Sequence, residues 1–153
     1  MRLYDFRTEY RENPIGLTEK APRFSWKIES DEKDTVQTSY EIKVTDENGK
    51  LVWDSGKKIS DQSVLISYEG EALAGETFYL VEVTVADNHG NVESVEGSFE
   101  TGIFDQTEFK AQMITSDFPE DETACPVFGK TFALSKKVKK ARLYATAHGV
   151  YEV

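Results

Sequence analysis

Two tryptophans and one arginine are the side chains of this sequence best suited to contact a ligand. Trp26 and Trp53 could stack on the apolar face of a sugar ring, and Arg23 could contact a substrate beside them. Each tryptophan, however, shares its strand face with apolar neighbours, which favours packing in a core. Arg23 lies opposite in phase to Phe24, so we expect it to form a surface ion pair with one of the 28 acidic residues.

An acidic run and two histidines are the candidate metal ligands. Carboxylates of this kind can bind calcium, which prefers several oxygen ligands. The run lacks the twelve-residue calcium-loop pattern, so a solvated surface segment is the favoured interpretation. His89 and His148 show no ligand spacing. The acidic residues concerned are Asp117, Glu120, Asp121 and Glu122.

Nucleophiles and basic residues give no stronger indication of chemistry. Ser25 and Ser55 lack the context of a nucleophile elbow. Cys125 is the only cysteine, which excludes an internal disulfide and a cysteine-based metal cluster. We therefore predict no catalytic, cofactor-binding or metal-binding residue. A short basic cluster is interpreted as a solvated turn and comprises Lys136, Lys137, Lys139 and Lys140.

Charge and hydropathy exclude further classes of partner. The 153 residues carry a net charge of −10 with a pI near 4.7, which disfavours nucleic acid and anionic membranes. The N-terminal residues 1–13 are charged and lack the apolar segment of a signal peptide. Residues 78–86 are too few to span a bilayer. These features predict a cytoplasmic protein without a nucleic-acid or membrane partner.

The elements that must position these residues are strands, because the dominant hydrophobic period is two. An N-terminal extended segment is predicted to place Tyr4, Phe6 and Tyr10 on one face. Three later segments alternate more regularly. Their apolar positions are Phe24, Trp26 and Ile28, then Tyr40, Ile42 and Val44, and finally Tyr79, Val81, Val83 and Val85.

Turn signals divide these strands into hairpins. Asn48-Gly49 predicts a two-residue turn that sets Val44 opposite Trp53 and Asp46 opposite Leu51. This register places Ile42, Val44, Leu51 and Trp53 on one side of the sheet. A second turn is predicted at residues 87–91. About seven short strands in residues 1–102 predict an all-β fold, an antiparallel sandwich of fibronectin type III or immunoglobulin type. Pro14 and Pro22 are placed at strand entries.

The remainder of the chain has a different composition. Residues 103–129 are predicted to be a linker, and Lys130–Leu134 and Ala141–Val153 to be the first strands of a second β module. Two strands without a closing partner would be unstable alone and would expose their edges. We expect a truncated module, with pairing of strand edges between copies as a possible oligomer.

Six short segments of the sequence form an ordered set of motifs: 13–17 (NPIGL), 22–26 (PRFSW), 37–42 (QTSYEI), 53–57 (WDSGK), 60–64 (SDQSV) and 99–102 (FETG). In this order they resemble the N-terminal region of bacterial α-L-rhamnosidases. Two later segments, 109–114 and 139–153, look like the family's linker and the opening of its next module, with the linker tryptophan replaced by Phe109 or Met113. No tryptophan stands in the strand at 78–86, where the family usually has them.

The resemblance implies that residues 1–102 are a fibronectin-like module and that residues 130–153 begin a jelly-roll module of carbohydrate-binding type. It implies a parent enzyme that hydrolyses terminal α-L-rhamnosides with inversion, through acids on an α/α barrel absent from these residues. The expected role is structural, and the expected partners are downstream domains of the same polypeptide, with rhamnose-containing glycans bound through the parent enzyme. The alternative is a stand-alone module that binds carbohydrate or protein.

Overall fold

The computed structural model describes residues 1–119 and 125–153 and divides the chain into two units, Met1–Phe109 and Lys110–Val153. The first unit contains eight strands and a short 3₁₀ turn, Gln106–Glu108. The strands are β1 (Arg2–Thr8), β2 (Arg23–Glu29), β3 (Gln37–Asp46), β4 (Leu51–Asp54), β5 (Lys58–Ile59), β6 (Ile66–Ser67), β7 (Phe78–Asp87) and β8 (Val92–Glu100).

These strands form two antiparallel sheets that enclose one core. The first sheet has the order β1-β2-β6, and the second has the order β4-β3-β7-β8, with β5 also paired to β3. The predicted all-β sandwich is therefore confirmed. The alternating apolar residues of β7 (Tyr79, Val81, Val83 and Val85) all lie in the core. Their polar neighbours face outward because successive side chains of a strand leave opposite faces.

An aromatic cluster fills the centre of the sandwich. Phe24 is completely buried, and its ring lies within about 6 Å of the rings of Phe6, Trp53 and Phe99. Rings at such separations add specific edge and stacking contacts to the burial of apolar surface. This cluster joins β1 and β2 of one sheet to β4 and β8 of the other.

Strand β1 contains a β-bulge that alters the predicted alternation. Tyr4 pairs with Lys27 and Arg7 pairs with Ser25, so two residues of β1 oppose one residue of β2. The bulge lies at Asp5, whose φ is +51°. Leu3 and Phe6 are buried while Tyr4 is exposed, so the prediction that Tyr4 and Phe6 share a face is wrong. The extra residue reverses the phase of the strand between them.

Two hairpins use the same five-residue turn. In residues 46–50 the backbone N–H of Gly49 donates to the carbonyl of Asp46 and the N–H of Asp46 donates to Lys50, with Gly49 at a φ of +80°. Residues 87–91 repeat this arrangement. Val44 faces Trp53 as predicted, but Thr45, not Asp46, faces Leu51. The prediction assumed a two-residue loop, and the longer turn shifts the register and leaves Leu51 exposed.

Residues 13–17 cover part of the outer edge of β8. The N–H of Glu100 donates to the carbonyl of Pro14, and the N–H of Leu17 donates to the carbonyl of Glu100. Asn13 continues the contact, because its side-chain oxygen accepts from the N–H of Ser98 at 2.9 Å. Pro14 therefore belongs to a segment that hydrogen-bonds to the edge of β8. It does not begin a strand, contrary to the prediction.

The first unit extends past the predicted boundary at Gly102. Phe104 packs against the core, and the ammonium of Lys20 lies over its ring. The described residues of the second unit, 110–119 and 125–153, form no helix or strand. The strands predicted at Lys130–Leu134 and Ala141–Val153 are therefore not formed, since the described residues of this unit include no other strand with which they could pair. Their assignment to a second module stays a prediction.

No helical segment in the described part of the chain is long and apolar enough to cross a membrane.

Candidate functional site

The two tryptophans lie in the core, where a ligand cannot reach them. Trp26 is 1% exposed and Trp53 is 9% exposed. The Trp53 ring meets the edge of Tyr68 with centroids 5.2 Å apart. The Trp26 ring meets Tyr40 at 5.5 Å. The interpretation as core residues is confirmed, and neither tryptophan forms a sugar-stacking platform.

Trp26 also anchors a loop through a buried amide. Its indole N–H donates to the Oε1 atom of Gln37 at 3.0 Å. The amide nitrogen of Gln37 donates in turn to the carbonyls of Ser60 and Gln62. A buried polar side chain is tolerated when its donors and acceptor are satisfied in this way. The segments 37–42 and 60–64 thus have a structural role here, because the side chain of Gln37 in the first is hydrogen-bonded to the backbone of the second.

Arg23 forms the expected ion pair, with Glu9 as its partner. Its Nη2 and Nε atoms contact the two carboxylate oxygens of Glu9 at 2.7 and 2.9 Å, and its backbone N–H donates to Oε1 at 2.8 Å. The guanidinium also lies 5.7 Å from the ring centroid of Tyr10. The hydrogen bond from Arg23 lowers the pKa of Glu9. This clamp ties the turn after β1 to the start of β2.

Replacing Glu9 by glutamine should lower the thermal midpoint at neutral pH by a few degrees. Because the folded pKa of Glu9 is lowered, its stabilising effect is complete above the ordinary value of 4.5 and is lost as the pH falls through the folded pKa. Melting curves should therefore show a gap between Glu9→Gln and the parent that is constant near neutrality and closes in acid. Glu12→Gln is the matched control, and a gap that persists in acid would contradict the assignment.

The remaining candidate residues have structural roles or are exposed. The hydroxyl of Ser25 accepts from the N–H of Leu65 at 2.9 Å. Ser55 accepts from the N–H of Ile42 at 2.8 Å. The Nδ1 atom of His89 lies 3.4 Å from a carboxylate oxygen of Glu32. The exposed candidates are Cys125, His148, Asp117, Lys136, Lys137, Lys139 and Lys140.

Metal binding has no support in the part of the chain that the structure describes. No group of three or more histidine, cysteine, aspartate or glutamate residues there could hold an ion. The proposed calcium ligands Glu120, Asp121 and Glu122 lie outside the described residues.

An open cleft of about 470 Å³ lies where β1 and β8 approach each other at one side of the sandwich. Its position follows from two local features, the bulge in β1 and the turn that ends at Asn13. Phe6 forms part of its wall, lying so close to Gly97 that a Cβ atom there would collide with the ring. The lining residues are Tyr4, Asp5, Phe6, Glu12, Asn13, Val95 and Glu96.

The electrostatics of the cleft are acidic, but one of its carboxylates is already neutralised. Asp5 contacts the Lys27 ammonium at 2.8 Å and the Arg7 guanidinium at 2.6 Å. The hydrogen bonds from Lys27 and then Arg7 lower the pKa of Asp5. A carboxylate that stays ionised cannot act as a general acid near neutral pH.

The seven lining side chains offer carboxylates, one amide and one phenol, with no cation, serine, cysteine or histidine among them. They could hold a cationic or hydroxyl-bearing group, but they include no pair of a serine or cysteine with a histidine that would activate a hydroxyl or a thiol. The sequence analysis did not predict this cleft. Asp5 and Asn13 both line it and both have a positive φ, a backbone conformation that the residue pattern does not predict. The Asn13-Pro14 pair was the one local signal of an unusual turn there.

Comparison with known protein families gives a match that covers most of the sandwich. A family described as the Rha78A-like N-terminal immunoglobulin domain matches residues 3–105. An α-L-rhamnosidase of Formosa agariphila is 32% identical over 92% of this chain, which corresponds to 17% of that protein. An α-L-rhamnosidase of Streptomyces avermitilis is 31% identical over the full chain, which corresponds to 18% of that protein. The chain therefore spans under a fifth of the length of these relatives.

Solved structures give the same result. The α-L-rhamnosidase of Streptomyces avermitilis, solved with L-rhamnose, superimposes with a TM-score of 0.67 and 34% identity. The match covers 72% of this chain and 11% of that one. The α-L-rhamnosidase of Dictyoglumus thermophilum gives a TM-score of 0.64 and 35% identity, over 71% of this chain and 13% of that one.

Proposed function

Because the chain belongs to the family of Rha78A-like N-terminal immunoglobulin domains, we propose that it is a non-catalytic accessory module of an α-L-rhamnosidase. The observation that carries this proposal is the extent of the match. The compact unit resembles a segment that makes up 11% of a rhamnosidase chain. Its role is to pack against other domains of the same polypeptide and to hold them in position.

The buried tryptophans support a structural role over direct sugar binding. A module that recognises sugar commonly presents an aromatic face to solvent, whereas Trp26 and Trp53 are both packed in the core. Contact with rhamnose-containing glycans would then be made by other parts of the enzyme. A cytoplasmic location is also part of this proposal.

The test has two parts, each with a definite outcome. The purified 153-residue chain should release no chromophore from a chromogenic α-L-rhamnoside above a mock preparation, because its compact unit is a β-sandwich, whereas the resemblance places the catalytic acids of the family on an α/α barrel. The polypeptide encoded by the whole reading frame should hydrolyse that substrate, and deletion of residues 1–109 should lower its thermal midpoint. Turnover by the short chain, or a reading frame that ended at Val153, would overturn the proposal.

A further inference from the structure

The outer edge of β8 is open over part of its length. The N–H of Thr101 donates toward β7, to Thr77, whereas that of Ser98 donates away from it, to Asn13. The pairing of β7 with β8 is regular from Glu100 back to Val92. The backbone groups of Ser94 and Glu96 therefore also point away from β7, because they lie four and two residues before Ser98. Neither has a backbone hydrogen-bond partner on that side among the described residues.

Another segment of the chain already hydrogen-bonds to one part of this edge. Pro14 and Leu17 exchange backbone hydrogen bonds with Glu100, as an added strand would. The cover ends at Asn13, whose side-chain oxygen takes the place of a backbone carbonyl opposite Ser98. Beyond this point the edge is uncovered, and we call Val92–Glu96 the open edge. An uncovered edge of this kind is a template for another strand.

Space for an added strand is present beside the open edge. The cleft begins where the cover ends, since Asn13 lines it together with Val95 and Glu96. Val92, at the far end of the open edge, is 61% exposed. An extended segment that entered the cleft could therefore continue along the edge toward the turn at residues 87–91.

The charge around the open edge indicates what kind of segment would bind. Glu12 and Glu96 line the cleft, and Glu93 is exposed on the same strand. None of the three has an ion-pair partner in the described part of the chain, whereas Asp5 is held by Lys27 and Arg7. The whole chain is also strongly acidic, at −10. A cationic segment would be attracted here, and an acidic one would be repelled.

We propose that the open edge binds an extended polypeptide segment that carries lysine or arginine, which pairs with Val92–Glu96 as an additional strand. Backbone hydrogen bonds to Ser94 and Glu96 supply the pairing, and the cleft carboxylates select the charge. The inference is independent of the accessory role proposed above, since it requires only this chain.

The test is a titration of the 153-residue chain with a blocked octapeptide of alternating lysine and valine, near physiological ionic strength. Ser94→Pro removes one edge N–H without touching the hydrogen bonds to β7, as proline is tolerated on edge strands. We expect it to weaken binding by about tenfold. Ser94→Ala is the matched control, because both substitutions lose the hydroxyl contact with Thr84 but only proline loses the N–H.

Further experiments separate the contribution of charge to binding from that of the backbone hydrogen bonds. Glu96→Lys should weaken binding, and the same peptide with glutamate in place of lysine should not bind. A peptide methylated at every backbone nitrogen keeps its charge but loses its donors, and it should fail to bind even if the proline variant does not fold. Absence of saturable binding by the unmodified peptide would overturn the proposal. Equal binding of the methylated peptide would also overturn it, because charge alone would then explain the affinity.

Discussion

Phe24→Ala is expected to destabilise the sandwich by about 3–5 kcal/mol, the usual range for deletion of a buried aromatic ring. The ring is fully buried and contacts aromatic residues of both sheets, Phe6 on one side and Trp53 and Phe99 on the other. Collapse cannot fill the space, because the neighbouring rings are held by their own strands. The loss is a large part of the total stability of a domain of this size.

Chemical denaturation followed by tryptophan fluorescence measures this loss directly. Ile59→Ala is the control, since Ile59 is 81% exposed and its truncation should change the free energy of unfolding by less than about 0.5 kcal/mol. A similar small effect for Phe24→Ala would contradict the placement of this ring at the centre of the core.

Two substitutions of the same kind, Thr101→Val and Thr8→Val, are expected to have different effects on stability. Both threonines are completely buried. The hydroxyl of Thr101 donates to the carbonyl of Ala74 at 2.7 Å and accepts from the N–H of Thr77 at 3.0 Å. Valine would leave both backbone groups without this partner, at a cost of about 1–3 kcal/mol.

The hydroxyl of Thr8 has no hydrogen-bond partner among the described protein groups. Valine has nearly the same shape and removes an unsatisfied polar atom, so Thr8→Val should be neutral or stabilising by up to about 1 kcal/mol. Thermal and urea unfolding of the two variants make the comparison, with each variant serving as the control for the other. Equal destabilisation would contradict the prediction, because it would mean that the Thr8 hydroxyl is as well hydrogen-bonded in the folded protein as that of Thr101.

The hydrophobic pattern of the sequence predicted the regular strands correctly and failed where a strand or turn is irregular. Regular alternation located β2, β3 and β7 and their buried residues, including Phe24, Trp26 and Val83. It failed at β1, where the bulge at Asp5 exposes Tyr4. It also failed at Leu51, where a longer turn changed the register. Alternation assumes that every residue of a strand is paired, and a single extra residue reverses the prediction for all that follow.

The candidate site was predicted less well from the sequence than the strands were. The sequence identified Arg23 as half of an ion pair but could not identify Glu9, since many carboxylates were available. It gave no indication of the cleft, whose walls come from β1, residues 12–13 and β8. Residues so distant in sequence meet only when two sheets pack, so no local pattern records their proximity.

The sequence by itself determined the long strands β2, β3 and β7, the positions of the hairpin turns and the family resemblance, because these depend on residue types at short spacing. The tertiary structure alone decided that Asn13–Leu17 covers one part of the β8 edge and leaves Val92–Glu96 open. Strand period fixes which face of a strand is buried. Only the packing of distant segments fixes which of its backbone edges finds a partner.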